Sequence, residues 1–323
     1  MKAVVWTAYG SPEVLQYKEV EKPRPKAGEV LVKILATTVT LGDCELRSLR
    51  LPFYFSLPMR VYLGVRKPRE NTIPGTEFAG VIESVGKGVR RFKAGDEVFG
   101  TAGLRFGTNA EYICLPEEGP VAVKPENMSF EEAAPVPFGG GDALHFLKKA
   151  NLKPGQKIVI NGAGGSIGTF AVQLAKYFGA EVTAVDSGEK LGMLRSIGAD
   201  HLFDYRKEDF AGHGRRYDVI FDVVGKSSYS GCINSLTKNG VYLLANPRMS
   251  QMFRGVWTTI RSGITVFSAA ANSTNSDLLF LKDLIERGVL KTVIDKRYPL
   301  HQIEDAHRYV DSGRKQGNVV VVI

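Results

Sequence analysis

Gly162, Gly165 and Gly168 stand in the run Gly162-Ala163-Gly164-Gly165-Ser166-Ile167-Gly168. The run follows the apolar segment KIVIN (157–161) and opens the helical pattern SIGTFAVQLAKYFGA (166–180). At a turn from strand to helix, glycines let the backbone approach an anion, and the N–H groups of the first helical turn bind it. The spacing G-x-x-G-x-x-G fits; G-x-G-x-x-G counted from Gly162 does not, because Ile167 holds its last glycine position. No G-K-[ST] follows, so a nucleoside-triphosphate loop is not supported. Eighteen residues after Gly168, Asp186 ends a second β-like run, EVTAVD. A carboxylate there accepts the ribose hydroxyls of a dinucleotide and repels a 2′-phosphate. Lys190, four residues on, offsets part of that repulsion. The chemistry indicated is the binding of NAD(P)H, with NADH favoured over NADPH.

These residues need elements to hold them. From residue 154 the chain alternates strand-like runs (157–161, 181–186, 201–205, 217–225, 239–246) with helical ones (166–180, 189–199). That alternation predicts βαβ units and a parallel sheet. Residues 1–125 instead carry short runs rich in β-branched and aromatic residues, bounded by Gly, Pro and charged turns, which predict a barrel or sandwich. Residues 129–150 show helical signals broken by Pro135, Pro137 and three glycines, with Ser129 and Glu132 spaced as a capping box. Helices are predicted over 276–287 and 301–313, and a last strand over 318–323.

The 323 residues include 42 Lys+Arg and 34 Asp+Glu, a net charge of +8, with 44% hydrophobic and 24% charged residues. These are globular values for a chain of about two domains. No apolar run approaches the ~20 residues that span a bilayer. The N-terminus lacks the pattern of a signal peptide. Cys44, Cys114 and Cys232 are far apart and form no C-x-x-C, so neither a disulfide framework nor a cysteine zinc site is expected, and a cytoplasmic location is.

Taken together, PGTEFAGVIESVGKGV (74–89), KAGDEVFG (93–100), LKPGQKIVINGAGGSIGTFAVQLAKYFGA (152–180), IGADHLFDY (197–205) and the tail from Tyr298 resemble, in order, the medium-chain dehydrogenase/reductases. Within that superfamily the chain is similar to the zinc-free quinone oxidoreductase-like branch. The resemblance implies an α/β protein: a GroES-like β-barrel catalytic domain over 1–125 and 270–323, and a Rossmann doubly wound parallel sheet over 126–269. It implies a homodimer.

Zinc-dependent members carry a Cys three residues before an Asp, then a Gly-His-Glu, and a later Cys. Here the Asp position is Asp43 and Thr40 stands for the first Cys. Gly75-Thr76-Glu77 replaces Gly-His-Glu, and 136–145 has no Cys. A catalytic zinc needs three N, S or O ligands within reach, so none is expected. His301 and His307 on the tail helix are read as surface or interface residues, and Cys44 as a small buried residue with no His partner.

Without a Lewis acid, simple ketones are poor substrates, whereas quinones and α,β-unsaturated carbonyls spread the incoming charge over a conjugated system. The resemblance therefore implies hydride transfer from NAD(P)H to a small hydrophobic quinone or enone. A zinc-free alcohol dehydrogenase and an enoyl-thioester reductase are the alternatives. It implies that Gly165, Ser166 and Ile167 hold the pyrophosphate and that Asp186, Ser187, Lys190 and Tyr205 surround the adenosine ribose. Val224, Ala245, Asn246, Phe267 and Ser268 would lie on the nicotinamide side, and Asn318 would reach back from the tail. Asp142 stands where the family has a small hydroxyl residue; it is read either as a cofactor contact or as the N-cap of ALHFLKKA. Asp43, Tyr54 and Tyr62 are the candidate catalytic residues, the tyrosines as proton donors.

Residues 47–69 hold six basic residues and no acid, with Phe53, Tyr54, Phe55, Met59 and Tyr62 among them. This segment is read as a loop. It supplies most of the net charge, and it could cover an apolar acceptor or touch an anionic membrane. No nucleic acid is expected as a partner. The reading of another class is a cofactor-binding module acting on a membrane surface or on RNA through 47–69.

Overall fold

The protein is described from a computed structural model covering residues 1–51 and 53–323, with the side chains of Phe53 and Tyr54 outside the description. It divides into two units, one of residues Met1–Phe138, Thr274–Arg287 and Thr292–Ile323, the other of Gly139–Ser273 and Gly288–Lys291.

The second unit is a six-stranded, wholly parallel sheet. From one edge to the other its strands are His201–Asp204, Glu181–Asp186, Lys157–Asn161, Tyr217–Asp222, Leu236–Leu244 and Thr265–Ser268. In chain order this is 3-2-1-4-5-6, the doubly wound order. Ile158, Val159 and Ile160 are fully buried, as expected where helices cover both faces of a strand. The strand order reverses between Lys157–Asn161 and Tyr217–Asp222, where Asn161 lies opposite Asp222.

The first unit is built on the strand Glu29–Val39. One side pairs with Glu77–Val85; the other pairs with Tyr112–Pro116 along its first half and with the tail strand Asn318–Val322 along its second. The tail therefore completes the N-terminal sheet. A separate pair joins Lys2–Trp6 to Leu15–Glu19.

The unit boundaries differ from those read in the sequence. Residues 126–138 belong to the first unit, because the helix Phe130–Ala133 packs on strands Glu29–Val39 and Glu77–Val85, and Asn127 Nδ2 donates to the Ile285 carbonyl (2.8 Å). Its Ser129–Glu132 capping box is present. Residues 270–273 belong to the second unit; Ser273 Oγ lies so close to Gly141 that a Cβ there would meet it at 2.2 Å. Residues 288–291 join the second unit through Gln173, whose amide bonds both the N–H and the carbonyl of Lys291 (2.9 Å each).

Much of 47–69 is helical where a loop is expected. Leu41–Ser48 and Phe53–Leu63 are helices, the second with Pro58 inside it. Met59 and Leu63 are buried in a core with Trp6, Leu15 and Ile303. Arg47, one of the six basic groups, is itself buried and bonds Asp311 Oδ2 at 2.6 Å.

Candidate functional site

The glycine run forms a tight turn from the strand Lys157–Asn161 into the helix Ser166–Tyr177. Gly162 has φ +84°, a left-handed value that side chains disfavour. The N-cap is Gly165, so no side chain accepts from the N–H groups of the first turn. Those donors, with the dipole of a helix twelve residues long, suit a pyrophosphate. Gly165 and Ile167 are half-buried, while Ser166 and Gly168 are buried. Val224, from the loop after Tyr217–Asp222, packs over Gly162; a Cβ there would meet its Cγ1 at 2.8 Å.

Asp186 is buried and fully engaged. Its Oδ2 accepts from the Gly164 N–H (2.8 Å), and its Oδ1 accepts from the Ser187 N–H (2.8 Å) and pairs with Lys190 Nζ (3.0 Å). Lys190 and Ser187 are buried with it. The carboxylate thus ties the second strand to the glycine turn. Tyr205 is exposed beside it, its N–H donating to the Asp186 carbonyl (3.2 Å).

A polar network that sequence reading missed lies where the strand order reverses. Asp222 is fully buried. Its carboxylate accepts from Asn161 Nδ2 (3.0 Å), from the N–H groups of Gly225 (2.9 Å) and Ser227 (3.3 Å), and from the Tyr242 hydroxyl (3.4 Å). Asn161 Nδ2 also donates to Ser227 Oγ (2.7 Å). The network clamps the loops after strands Lys157–Asn161 and Tyr217–Asp222. In open parallel sheets, ligands bind outside the carboxyl ends of the strands at this reversal point. The available signal was an acid ending a buried strand, FDVVG, which the glycine loop had overshadowed.

The remaining residues of this unit split. Ala245, half-buried, and Asn246, exposed, follow the strand Leu236–Leu244, and Ala245 N–H donates to the Asp222 carbonyl (3.1 Å). Phe267 packs its ring on His145 and Phe146 at 6.0 and 5.8 Å, a packing contact; Ser268 ends the edge strand. Asp142 is not an N-cap: it is the second residue of Gly141–Ala150, whose cap is Gly140. It is half-buried, and burial pushes its carboxyl up to about 7. An unfolded aspartate titrates near 4. Between those values the folded state holds the extra proton, so stability is lost as pH rises through the window. Asp142→Asn is expected to raise the melting temperature at about pH 8 and to converge with the parent near pH 4. An equal gain at both pH values would remove the ionisation as its cause.

In the first unit the candidates are committed locally. Asp43 and Thr40 form a capping box: Asp43 Oδ2 accepts from the Thr40 N–H (2.8 Å) and hydroxyl (2.6 Å), and Thr40 Oγ1 accepts from the Asp43 N–H (3.2 Å). Burial pushes the Asp43 carboxyl up against the lowering effect of Thr40. Asp43 thus serves as the N3 residue of the capping box that starts the helix Leu41–Ser48. Glu77 is buried and accepts from the Thr38 hydroxyl and from the Phe138 N–H (2.9 Å). Tyr62 is about half exposed, and its hydroxyl donates to the Leu104 carbonyl (2.9 Å). The Tyr54 side chain lies outside the described residues.

Asn318 is buried, and its Nδ2 donates to the Val293 carbonyl (3.0 Å) at the start of the tail strand. His301 is exposed, but His307 is buried against Cys44, Nδ1 to Sγ 3.3 Å. Burial, with the Arg47 charge nearby, holds His307 down at about 3, and burial pushes the Cys44 thiol up. Both groups are therefore neutral at pH 7, a core contact without an activated nucleophile.

Among the described residues no three His, Cys, Asp or Glu side chains converge as a metal site. The residues present fit a dinucleotide: a turn closed to side chains, first-turn donors and a buried acid at the second strand's end. Thr40 and Thr76 stand at two positions where zinc-dependent members carry Cys and His, and the Asp43 and Glu77 carboxylates are held by local donors.

Two family models match the chain, the alcohol dehydrogenase GroES-like domain over residues 26–126 and the zinc-binding dehydrogenase over residues 197–321. A 2-methylene-furan-3-one reductase of Solanum lycopersicum is 34% identical, the match covering 99% of this chain and 79% of the relative. A chloroplastic NADPH-dependent alkenal/one oxidoreductase of Arabidopsis thaliana is 33% identical with the same coverage. Among solved structures, a quinone oxidoreductase from Coxiella burnetii superposes with a TM-score of 0.88 at 25% identity, covering 100% of this chain and 99% of that one.

Proposed function

We propose a function from one premise: this chain belongs to the medium-chain dehydrogenase/reductase superfamily, in its quinone oxidoreductase-like branch. It is an NAD(P)H-dependent oxidoreductase that reduces a quinone or an α,β-unsaturated carbonyl. The observation that carries this reading is the glycine turn with Asp186 bound to it. A bound reduced nicotinamide supplies the hydride. The chain's part is to bind and orient: first-turn N–H groups on the pyrophosphate, Asp186 beside the adenosine ribose, and the Asp222 network holding the loops at the strand-order reversal. A conjugated acceptor carries the incoming charge itself, so positioning serves in place of a Lewis acid. Metal independence is supported by Thr40 and Thr76 at two ligand positions. The three free cysteines suit a reducing, cytoplasmic setting.

NADH is the favoured donor. Lys190 is spent on Asp186, and Arg206 is paired with Glu189 (3.0 Å), so neither charge is free for a 2′-phosphate. Oxidation of NADH and NADPH is to be followed with a soluble benzoquinone and with an alkenal. Turnover of at least one acceptor is expected, with NADH preferred. Asp186→Ser should shift the ratio of kcat/KM values toward NADPH by about tenfold, or 1.4 kcal/mol. No turnover of either acceptor sinks the enzyme reading; an unmoved ratio sinks the role of Asp186.

A further inference from the structure

The helix Phe53–Leu63 has one charged residue, Arg60, among its eleven. A helix apolar on every side is normally covered on every side. This one is covered on one side only. Met59 and Leu63, four residues apart, are buried in the core with Trp6 and Ile303. On the opposite side Leu57 and Val61, also four apart, are 56% and 64% accessible, and Val65, just past the helix, is 65% accessible. Leu104, whose carbonyl accepts from the Tyr62 hydroxyl (2.9 Å), adds a further exposed side chain at 63%. An apolar patch of this kind on a folded surface marks an interaction site.

The patch is flanked by cations. Arg60 Nη1 donates to the Val65 carbonyl (3.1 Å), and its guanidinium lies over the Tyr9 ring (5.7 Å to the centroid). Arg50 precedes the helix, and Arg66, Lys67 and Arg69 follow it; all four are exposed. Arg47 has Asp311 as its partner (2.6 Å), but among the described residues no carboxylate pairs with these other five. Aliphatic side chains ringed by uncompensated positive charge complement a surface that is apolar within and negative at its rim.

We propose that this face docks on an anionic lipid surface. Leu57, Val61, Val65 and Leu104 enter the boundary between headgroups and acyl chains, and the flanking cations meet the lipid phosphates. Docking is peripheral, since no described helix is long and apolar enough to cross a membrane. The side chains favour lipid over RNA: bases stack on aromatic rings, whereas the most exposed apolar residues of this face are aliphatic.

The test is flotation of the full chain with vesicles of phosphatidylcholine, alone or mixed with phosphatidylglycerol. The protein should float with the mixed vesicles at low salt and not with phosphatidylcholine alone. The combined change Leu57→Ser, Val61→Ser and Val65→Ser should lower partition by at least about tenfold with an unchanged melting temperature, which separates lost docking from lost folding. Arg66→Gln and Arg69→Gln should each cost about fivefold and weaken the salt dependence. The proposal is overturned if the parent protein stays out of the mixed vesicles; retention of a labelled single-stranded RNA in that case would assign the face to nucleic acid. It also falls if the triple variant floats as well as the parent; a raised KM for the acceptor would then make the face a cover for substrate. A triple variant that turns an oligomer into a monomer would make it an interface between copies and sink the lipid reading as well.

Discussion

Alanine at position 168 should abolish dinucleotide binding and lower kcat/KM for NADH by more than about 100-fold, or ~2.7 kcal/mol of transition-state stabilisation. A Cβ on Gly168 would lie 2.3 Å from the Gly162 carbonyl oxygen and 2.5 Å from both the Cα and the carbonyl oxygen of Ala163. All three are backbone atoms, so no rotamer relieves the contact. The helix Ser166–Tyr177 would have to move off the strand that precedes it, taking its first-turn N–H groups away from the pyrophosphate. The control is Gly192→Ala, in the helix Leu191–Ser196, where nothing lies within 4 Å of the added Cβ. There alanine should stabilise by up to ~1 kcal/mol through helix propensity. NADH affinity read by nucleotide fluorescence separates the two; unchanged affinity in Gly168→Ala would remove the turn from the cofactor site.

Asp222→Asn should cost about 2–4 kcal/mol of stability and raise the KM for NADH. The carboxylate accepts from four donors in a fully buried position. An amide of the same shape puts two hydrogens where acceptors stood, so at least one backbone donor, the Gly225 or the Ser227 N–H, meets another donor. The loops after Lys157–Asn161 and Tyr217–Asp222 then lose their common anchor. Urea midpoints give the stability and initial rates give the KM. A stability within ~0.5 kcal/mol of the parent would mean the network is not what holds these loops.

The two-unit architecture was legible because each half wrote its period plainly. KIVIN and EVTAVD are short, β-branched and bounded by glycines or charges, and SIGTFAVQLAKYFGA has the length of a helix. The capping box at Ser129 was legible for the same local reason. Residues 47–69 were not: Pro52 and Pro58 punctuate them like a loop, and the burial of Met59 and Leu63 against Trp6 and Ile303 is a tertiary fact with no local signature. His307 shows the same limit. Its partner Cys44 is 263 positions away in sequence, so each looked solitary. Asp43 and Asp222 show the limit for carboxylates. Asp43, read for its chemistry, takes part in a capping box, and Asp222, overshadowed in the sequence by the glycine run, organises the reversal point.

The late return of the tail has a consequence for synthesis. Val319 pairs with Val39, so about 280 residues of chain must emerge before residues 36–39 meet the tail strand. At 5–20 residues per second that is a wait of roughly 15–60 s. Throughout it the second half of the central strand offers open N–H and C=O groups to any other extended chain. The nascent N-terminal sheet is thus the stage at which misassembly on the ribosome should concentrate. A chain truncated before Asn318 should be recovered as aggregate, and supplying the missing strand as a peptide should bring it back into solution.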